Sequence, residues 1–154
     1  MTSKITTTIV PYTVGQMFDL VADVQKYPSF LPWCVALRIT EKYDVDALNF
    51  ITADMVVAYK VFRERFKSKV RLEPETHSID VEYIDGPFKN LRNAWRFHPL
   101  EEGGTKVEFE IDFEFKNPIL QTTAKAVFDK AFLRMSEAFV ERAHQLYSSN
   151  ASAV

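Results

Sequence analysis

Apolar and polar residues alternate with a period of two through the middle of the chain, and the period becomes helical near its end. The alternation is strictest in residues 107–115, where valine, isoleucine and phenylalanine alternate with four acidic residues. This pattern is typical of a strand with one buried face and one face in water. Similar alternation occurs in the segments 4–10, 35–39, 51–59, 61–72, 79–83 and 91–97. We therefore predict about seven strands, with Val35, Leu37 and Ile39 on one face of the second.

Two segments have the spacing of helices. Thr13 and Gln16 have the spacing of a capping box, which predicts a helix over residues 14–23. Pro118 is permitted at the first helical position, and helical spacing continues from there to Tyr147. At about 1.5 Å of rise per residue, this second helix would be roughly 45 Å long.

The order of these elements predicts the fold class. Strands that follow one another through short turns, with helices segregated at the two ends, are typical of an α+β fold. We expect a curved antiparallel sheet of about seven strands wrapped around the long C-terminal helix. Residues 1–154 suit one domain, and the polar segment 149–154 is expected to fray.

Composition narrows the classes of function. The net charge is −2, so the chain lacks the global basic field of nucleic-acid-binding domains. Cys34 is the one cysteine, which excludes an internal disulfide and fits a reducing compartment. The sequence has neither a signal-peptide pattern nor an apolar run of membrane-spanning length. We therefore expect a soluble, cytoplasmic protein.

The predicted C-terminal helix has an apolar face wider than contact with one sheet requires. One stripe along it consists of Phe128, Phe132, Met135, Phe139 and Leu146. The adjoining stripe consists of Leu120, Ala124, Val127, Ala131 and Ala138. Two interpretations stay open. Either both stripes pack in the core, or the small residues pack on the sheet while phenylalanine and methionine line a cavity.

The segment YPSFLPWC, residues 27–34, places apolar side chains between and beside two prolines. Apolar rings on a short connection are typical of a pocket entrance, since connections run over the surface. Such rings also plug the end of a core, so both interpretations stand. The turn Asp85-Gly86-Pro87 is followed by one ring, Phe88, which is either a ligand gate or a turn anchored in the core.

Five cations alternate along one predicted strand: Arg63, Arg65, Lys67, Lys69 and Arg71. They are candidates for contact with phosphates of RNA or lipid headgroups. The alternative is a ladder of opposite charges, because Asp80 and Glu82 occupy the next strand.

Catalysis has little support in the sequence. His77, His98 and His144 are too scattered for a zinc site, and common phosphate-binding and nucleophile motifs are absent. Asp54 lies in an apolar strand, where burial would raise the pKa of a carboxylate, but its phase in the alternation favours an outward orientation. We therefore expect no catalytic cofactor, no metal site and no enzymatic activity.

Four segments carry a resemblance to a known family: YPSFLPWC, GPFKNLRNAWRF, VEFEIDFEF and FLRMSEAFVERAHQLY. Over residues 3–147 the chain resembles the coenzyme Q-binding family of START-like, polyketide cyclase-like (SRPBCC) domains, which also contains the ribosome association toxin RatA. The resemblance implies a helix-grip fold with a hydrophobic tunnel, acting as a ubiquinone carrier or chaperone in respiratory electron transport. The alternative it implies is binding to the large ribosomal subunit, through the basic strand, that inhibits subunit association. Because such cavities sometimes host catalysis, a cyclase-like enzyme is a third alternative.

The resemblance also implies candidate ligand-binding residues. The tunnel entrance would consist of Pro28, Phe30, Leu31, Pro32, Trp33 and Cys34. The motif after the Gly86-Pro87 turn would supply Leu91 and Trp95, and the helix wall would consist of Phe128, Phe132, Met135 and Phe139. Outside the resemblance, Met55, Tyr59 and Phe88 are further candidates, and the quinone hypothesis makes Trp33 or Tyr59 the donor to a quinone head. The expected partners are a quinone or lipid and, transiently, the surface of the inner membrane.

Overall fold

The structure, a computed structural model, describes residues 2–59 and 62–148, without the side chains of residues 59, 62 and 123–127. Within these residues the strands are β1 (Thr2–Val10), β2 (Cys34–Val45), β3 (Leu48–Tyr59), β4 (Phe62–Glu73), β5 (Ser78–Asp85), β6 (Phe88–Pro99) and β7 (Thr105–Phe115). The α-helices are α1 (Val14–Ala22), α2 (Tyr27–Phe30) and α3 (Pro118–Ala143). A 3-10 turn at Val24–Lys26 precedes α2, and a π-helical segment at His144–Ser148 follows α3.

The strands form one antiparallel sheet in the order β1-β7-β6-β5-β4-β3-β2. Strands β2 to β7 are therefore neighbours in the order in which they occur along the chain. β1 pairs with β7 instead, with Thr2 opposite Phe113 and Val10 opposite Thr105. Because β1 and β2 lie at opposite edges, the segment containing α1 and α2 connects one edge of the sheet to the other.

Strand β7 separates the two faces of the sheet most clearly. Its buried side chains alternate along the strand: Thr105, Val107, Phe109, Ile111, Phe113 and Phe115. The acidic side chains between them lie on the outer face, where Asp112 pairs with Arg92 of β6 at 2.9 Å. The strand predicted over 107–115 is confirmed, and its apolar face is turned towards α3.

The capping box predicted for the first helix is present. The Thr13 hydroxyl accepts the Gln16 N–H at 3.1 Å, and the Gln16 side chain accepts the Thr13 N–H at 2.9 Å. Helix α1 then buries Met17, Phe18 and Val21 against the core. The turn predicted in residues 27–33 includes one helical turn, α2.

One detail predicted for the second strand is wrong. Val35 is 49% exposed, whereas Leu37 and Ile39 are half-buried and pack against the core. The pairing of β2 with β3 shifts register between Cys34 and Ala36, which is a bulge that adds one residue to the strand. Val35 therefore leaves the inner face, while Cys34 and Leu37 both remain on it.

Helix α3 begins where the Asn117 side chain accepts the Ile119 N–H at 2.9 Å. The helix is 26 residues long and buries Phe132, Phe139 and Ala143 against the inner face of the sheet and the other helices. A seven-stranded curved antiparallel sheet packed around a long C-terminal helix confirms the predicted α+β, helix-grip fold.

Candidate functional site

A cavity of about 600 Å³ lies between the inner face of the sheet and α3. Strands β2 to β7 all contribute inward-facing side chains to its wall, among them Leu37, Met55, Val70 and Ile111. Most of the lining is apolar because these positions are the apolar phase of the alternating strands. The volume is in the range of pockets that hold small organic ligands, about 300–1,000 Å³.

Most of the predicted ligand-binding residues come together at this cavity. Those that line it are Leu31, Pro32, Trp33, Cys34, Met55, Phe88, Leu91, Trp95, Phe128, Met135 and Phe139. Pro28 and Phe30 do not line it: Pro28 is exposed, and Phe30 packs against Phe139 with ring centroids 5.4 Å apart. The side chain of Tyr59 lies outside the described part of the structure.

The helix wall mixes the two stripes predicted for α3. Leu120 and Ala131, from the stripe of smaller residues, line the cavity together with Phe128, Met135 and Phe139. Phe132 does not line the cavity, because its ring stacks on Phe109 of β7 with centroids 5.4 Å apart. The division into a packing stripe and a lining stripe is therefore wrong, since one helix face performs both roles. The side chains of Ala124 and Val127 lie outside the described part of the structure.

The segment Leu31–Cys34 closes one end of the cavity. Trp33 has a φ of 68°, a left-handed conformation that is uncommon for a bulky residue. Its carbonyl accepts the Ala58 N–H at 2.9 Å, which fastens the segment to the end of β3. Pro32 and Trp33 line both the cavity and an outer groove of about 370 Å³ beside α3. These two side chains therefore separate the interior from the surface.

Two ionisable groups near this end are held in their neutral forms. The Tyr27 hydroxyl donates to the Val21 carbonyl, and burial raises the pKa of Tyr27 well above its usual range. Burial also raises the pKa of the Cys34 thiol to about 11. Both residues line the cavity and are uncharged near neutral pH. The lining at this end also includes the charged residues Arg63 and Glu64, at the start of β4.

The turn before β6 anchors a ring in the cavity wall. The Tyr83 hydroxyl accepts the Phe88 N–H at 3.2 Å, and the Phe88 ring stacks on Phe115 with centroids 4.7 Å apart. The Lys116 N–H donates to the Pro87 carbonyl at 2.9 Å, which joins this turn to the end of β7. Phe88 is thus a buried wall residue at an anchored turn, not an exposed gate.

Two polar residues in the wall were not among the predicted site residues. Ser68 of β4 and Asn93 of β6 line the cavity, and neither the Ser68 Oγ nor the Asn93 Oδ1 has a hydrogen-bond partner among the described residues. The sequence contains a signal for both. Each occupies the apolar phase of its strand, Ser68 between Phe66 and Val70, and Asn93 between Leu91 and Trp95.

The cations of β4 differ in their partners, and one of them, Arg63, also borders the cavity. Arg71 pairs with Asp80 at 3.0 Å, and Asp80 also pairs with Arg96 at 2.9 Å. Both arginines hydrogen-bond the Asp80 carboxylate, which lowers its pKa despite the opposing effect of burial. Lys69 lies 5.7 Å from the centre of the Tyr43 ring. The predicted charge ladder is therefore present at this end of the strand.

The other end of β4 has fewer charge partners. Arg63 and Arg65 are exposed, and no ion pair joins either of them to another described residue. Lys67 is opposite Asp54 of β3 in the strand register. Asp54 is not part of the cavity wall, which agrees with its predicted outward orientation.

Two general features of the described residues bear on function. No group of three or more His, Cys, Asp or Glu side chains within 2–59 and 62–148 is placed to hold a metal ion. Over the same residues, no helix combines the length and the hydropathy needed to cross a bilayer.

The chain is similar in sequence to one protein family and to several characterised proteins. Residues 10–140 match the family model described as polyketide cyclase / dehydrase and lipid transport. The ribosome association toxin RatA of Escherichia coli (strain K12) is 37% identical, over 93% of this chain and 87% of RatA. The mitochondrial coenzyme Q-binding protein coq10 of Schizosaccharomyces pombe is 29% identical, over 92% of this chain and 88% of its own.

A solved structure extends the same relationship. The solution structure of an 18 kDa protein from Caulobacter crescentus has a TM-score of 0.81 and 38% sequence identity, and the match covers 96% of this chain and 99% of that one. The family model and these relatives each span most of the chain. The chain therefore belongs to the polyketide cyclase / dehydrase and lipid transport family, with RatA and coenzyme Q-binding protein coq10 among its relatives.

Proposed function

We propose that this protein binds a hydrophobic ligand, ubiquinone or a related isoprenoid lipid, in the cavity between the sheet and α3. It would act as a carrier or chaperone of that ligand in respiratory electron transport and leave its chemistry unchanged. The observation that carries the proposal is the 600 Å³ cavity with a predominantly apolar wall. The name of the relative coq10 favours a quinone over other apolar ligands.

The free energy for such binding comes mainly from the isoprenoid tail. Burial of apolar surface stabilises a complex by about 25 cal/mol per Å², so a long tail needs few polar contacts. The neutral forms of Tyr27 and Cys34 suit contact with an apolar tail. The charged residues of the lining, Arg63 and Glu64, are adjacent at the start of β4, and the rest of the wall is mainly apolar.

The doorway in this proposal is the segment Leu31–Cys34. Pro32 and Trp33 face both the cavity and the outer groove, so displacement of these two side chains would open a path between them. A ligand drawn from a bilayer would require transient contact of this end with the membrane surface. The protein would otherwise be cytoplasmic.

Ligand identity can be tested directly. The protein, purified from cells that make quinones, is extracted with organic solvent, and the extract is examined by mass spectrometry. We expect a quinone or polyprenyl lipid at a stoichiometry near one, recovered chemically unchanged. Protein that emerges empty and stays empty after incubation with several quinones would exclude the proposal, and recovery of a converted product would show an enzyme.

A second candidate function is association with the large ribosomal subunit. The relative named RatA favours it, and so do the exposed Arg63 and Arg65, which have no ion-pair partner among the described residues. Two adjacent unpaired guanidinium groups are suited to phosphate contacts. Lys69 and Arg71 fit this role less well, because they already contact Tyr43 and Asp80.

Cosedimentation with ribosomal subunits over a salt series tests this candidate. Binding through phosphates weakens steeply as salt rises. The double variant Arg63→Glu/Arg65→Glu should abolish it, while Lys26→Glu/Lys130→Glu, the same charge change at other exposed positions, should not. Absence of binding at low salt, or equal loss in both double variants, would remove this candidate.

A further inference from the structure

Ser68 and Asn93 are two buried polar residues in a mainly apolar wall, whose charged members, Arg63 and Glu64, lie at the start of β4. Ser68 is 8% exposed, and its hydroxyl oxygen has no hydrogen-bond partner among the described residues. The Asn93 Oδ1 is likewise buried and without a partner there. These are the two buried side-chain polar atoms of the described residues in that condition. Buried polar groups in folded proteins are nearly always satisfied, so each exception requires a physical reason.

The strand register places the two residues on opposite sides of the central strand. Ser68 is on β4 and Asn93 on β6, and β5 lies between them. Asn93 is opposite Val81, which is opposite Val70, two residues beyond Ser68 on the same face. Two strand spacings and an offset of two residues along the strands separate their backbones by roughly 12 Å. Their side chains share the inner face and line the same cavity.

We propose that Ser68 and Asn93 form the head-group site of the cavity, hydrogen-bonding two polar groups on opposite sides of a ligand ring. This inference rests on the proposed binding of an apolar ligand and adds where its polar end lies. A ring with oxygens at two opposite positions, such as a 1,4-quinone, reaches towards both strands at once. A tail with a single terminal hydroxyl reaches one of them.

The two side chains also suit both redox states of such a ring. A hydroxyl and a carboxamide each donate and accept hydrogen bonds. They can donate to the carbonyl oxygens of a quinone and accept from the hydroxyl groups of a quinol. A lysine or an aspartate in these positions would favour one state and would place a charge in an apolar wall.

This position for the head group differs from the one predicted from the sequence, where Trp33 or Tyr59 would be the donor. Trp33 borders the outer groove, whereas Ser68 and Asn93 lie on the strands that flank the middle of the sheet. The head would therefore enter first and rest against β4, β5 and β6. The tail would extend past Met135 and Phe139 of α3 towards Pro32 and Trp33.

Binding of two probes to three variants tests the inference. The probes are ubiquinone-2, which carries two isoprene units, and myrcene, an isoprenoid hydrocarbon with a similar tail and no oxygen. Ser68→Ala and Asn93→Leu should each weaken ubiquinone-2 binding by about 5- to 10-fold, the effect of one lost hydrogen bond. Both variants should bind myrcene at least as well as the wild type does.

Thr105→Val is the matched control. The Thr105 hydroxyl is buried and donates to the Tyr12 carbonyl at 2.7 Å, and Thr105 does not line the cavity. Without ligand, removal of this satisfied hydroxyl should lower the melting temperature. Ser68→Ala and Asn93→Leu should leave the melting temperature unchanged or raise it, because they remove unsatisfied groups.

The outcomes separate the two proposals. Wild-type protein that binds neither probe would overturn the proposed function and this inference with it. If the wild type binds ubiquinone-2 and the dissociation constants of both variants lie within about twofold of its own, the head-group site alone is overturned. A melting temperature lowered in Ser68→Ala as much as in Thr105→Val would also overturn it, since the hydroxyl would then have a partner in the empty protein.

Discussion

Trp95 of β6 and Phe139 of α3 meet edge to face, with ring centroids 5.0 Å apart and ring planes at 66°. Phe139 also contacts the rings of Tyr27 and Phe30, each with centroids 5.4 Å apart. One side chain therefore joins the sheet, the long helix and the segment beside the doorway. Such aromatic pairs contribute about 0.5–1.5 kcal/mol beyond the burial of their area.

Truncation of this ring should cost much of the stability of the fold. We expect Phe139→Ala to lower the free energy of unfolding by about 3–5 kcal/mol, because it opens a void among three packed rings. Urea unfolding measures the change. Leu133 of the same helix is 58% exposed, so Leu133→Ala should change the free energy of unfolding by less than about 0.5 kcal/mol. Equal effects of the two substitutions would show that α3 does not pack as described.

The proposed cavity can be filled from the helix side. Ala131 lines it, and Ala131→Trp would place an indole in the space assigned to the ligand. We expect ubiquinone-2 to bind about tenfold more weakly or not at all, since overpacking costs about 1–3 kcal/mol. Ala36→Trp, at an exposed position of β2, is the control and should bind normally. Normal binding by Ala131→Trp would place the ligand elsewhere.

The buried thiol predicts a pH dependence of stability. Burial raises the pKa of Cys34 from 9.0 to about 11, so the folded chain keeps this proton in a range where the unfolded chain has lost it. The free energy of unfolding should therefore fall as pH rises from about 9 to about 11, by at most about 1.4 kcal/mol per pH unit from this group. Below pH 9 the effect should be absent.

Urea unfolding of the wild type and of Cys34→Ala at pH 8, 9, 10 and 11 isolates this contribution. The pKa of Tyr27 is raised as well, so both proteins should lose some stability at the alkaline end. The loss should be steeper in the wild type. Parallel curves for the two proteins would mean that the thiol is not buried from water.

The turn before β6 depends on a glycine. Gly86 has a φ of 145°, and a Cβ there would lie 2.7 Å from the Cβ of Phe66, which lines the cavity. We expect Gly86→Ala to lower the free energy of unfolding by more than about 1 kcal/mol, from backbone strain and this clash together. Gly103→Ala also has a positive φ, 93°, but meets nothing within 4 Å. The smaller loss of unfolding free energy in Gly103→Ala would measure the backbone strain alone. An equal loss in the two variants would show that the contact with Phe66 contributes nothing.

The spacing of apolar residues in the sequence predicted most of the strands and helices, because that spacing indicates which face of each element is buried. The alternation in 107–115 and the Thr13–Gln16 capping box are both present in the structure. The bulge that exposes Val35 was not predictable, because it depends on how β2 pairs with β3. The packing of Phe132 on Phe109 depends likewise on how the helix lies across the sheet.

The candidate site shows a different limit. In the sequence, aromatic residues indicate the doorway and the helix wall, whereas Ser68 and Asn93 are single polar residues on strands. The alternation shows that each residue lies on the apolar side of its strand. It does not show that the two strands pair with the same neighbour. Only when β4, β5 and β6 pair does it become clear that two polar groups face one apolar space.

The strand order predicts an order of folding events. Strands β2 to β7 pair with their neighbours along the chain, so each hairpin closes a short loop. The pairing of β1 with β7 joins residues more than 90 positions apart, such as Val10 and Thr105, and carries the largest entropic cost of closure. We therefore expect a fast meander and a slower final step, in which the N-terminal strand docks and the segment with α1 and α2 covers the end of the sheet. A hydrophobic ligand present during synthesis would meet its binding face before that last step encloses it.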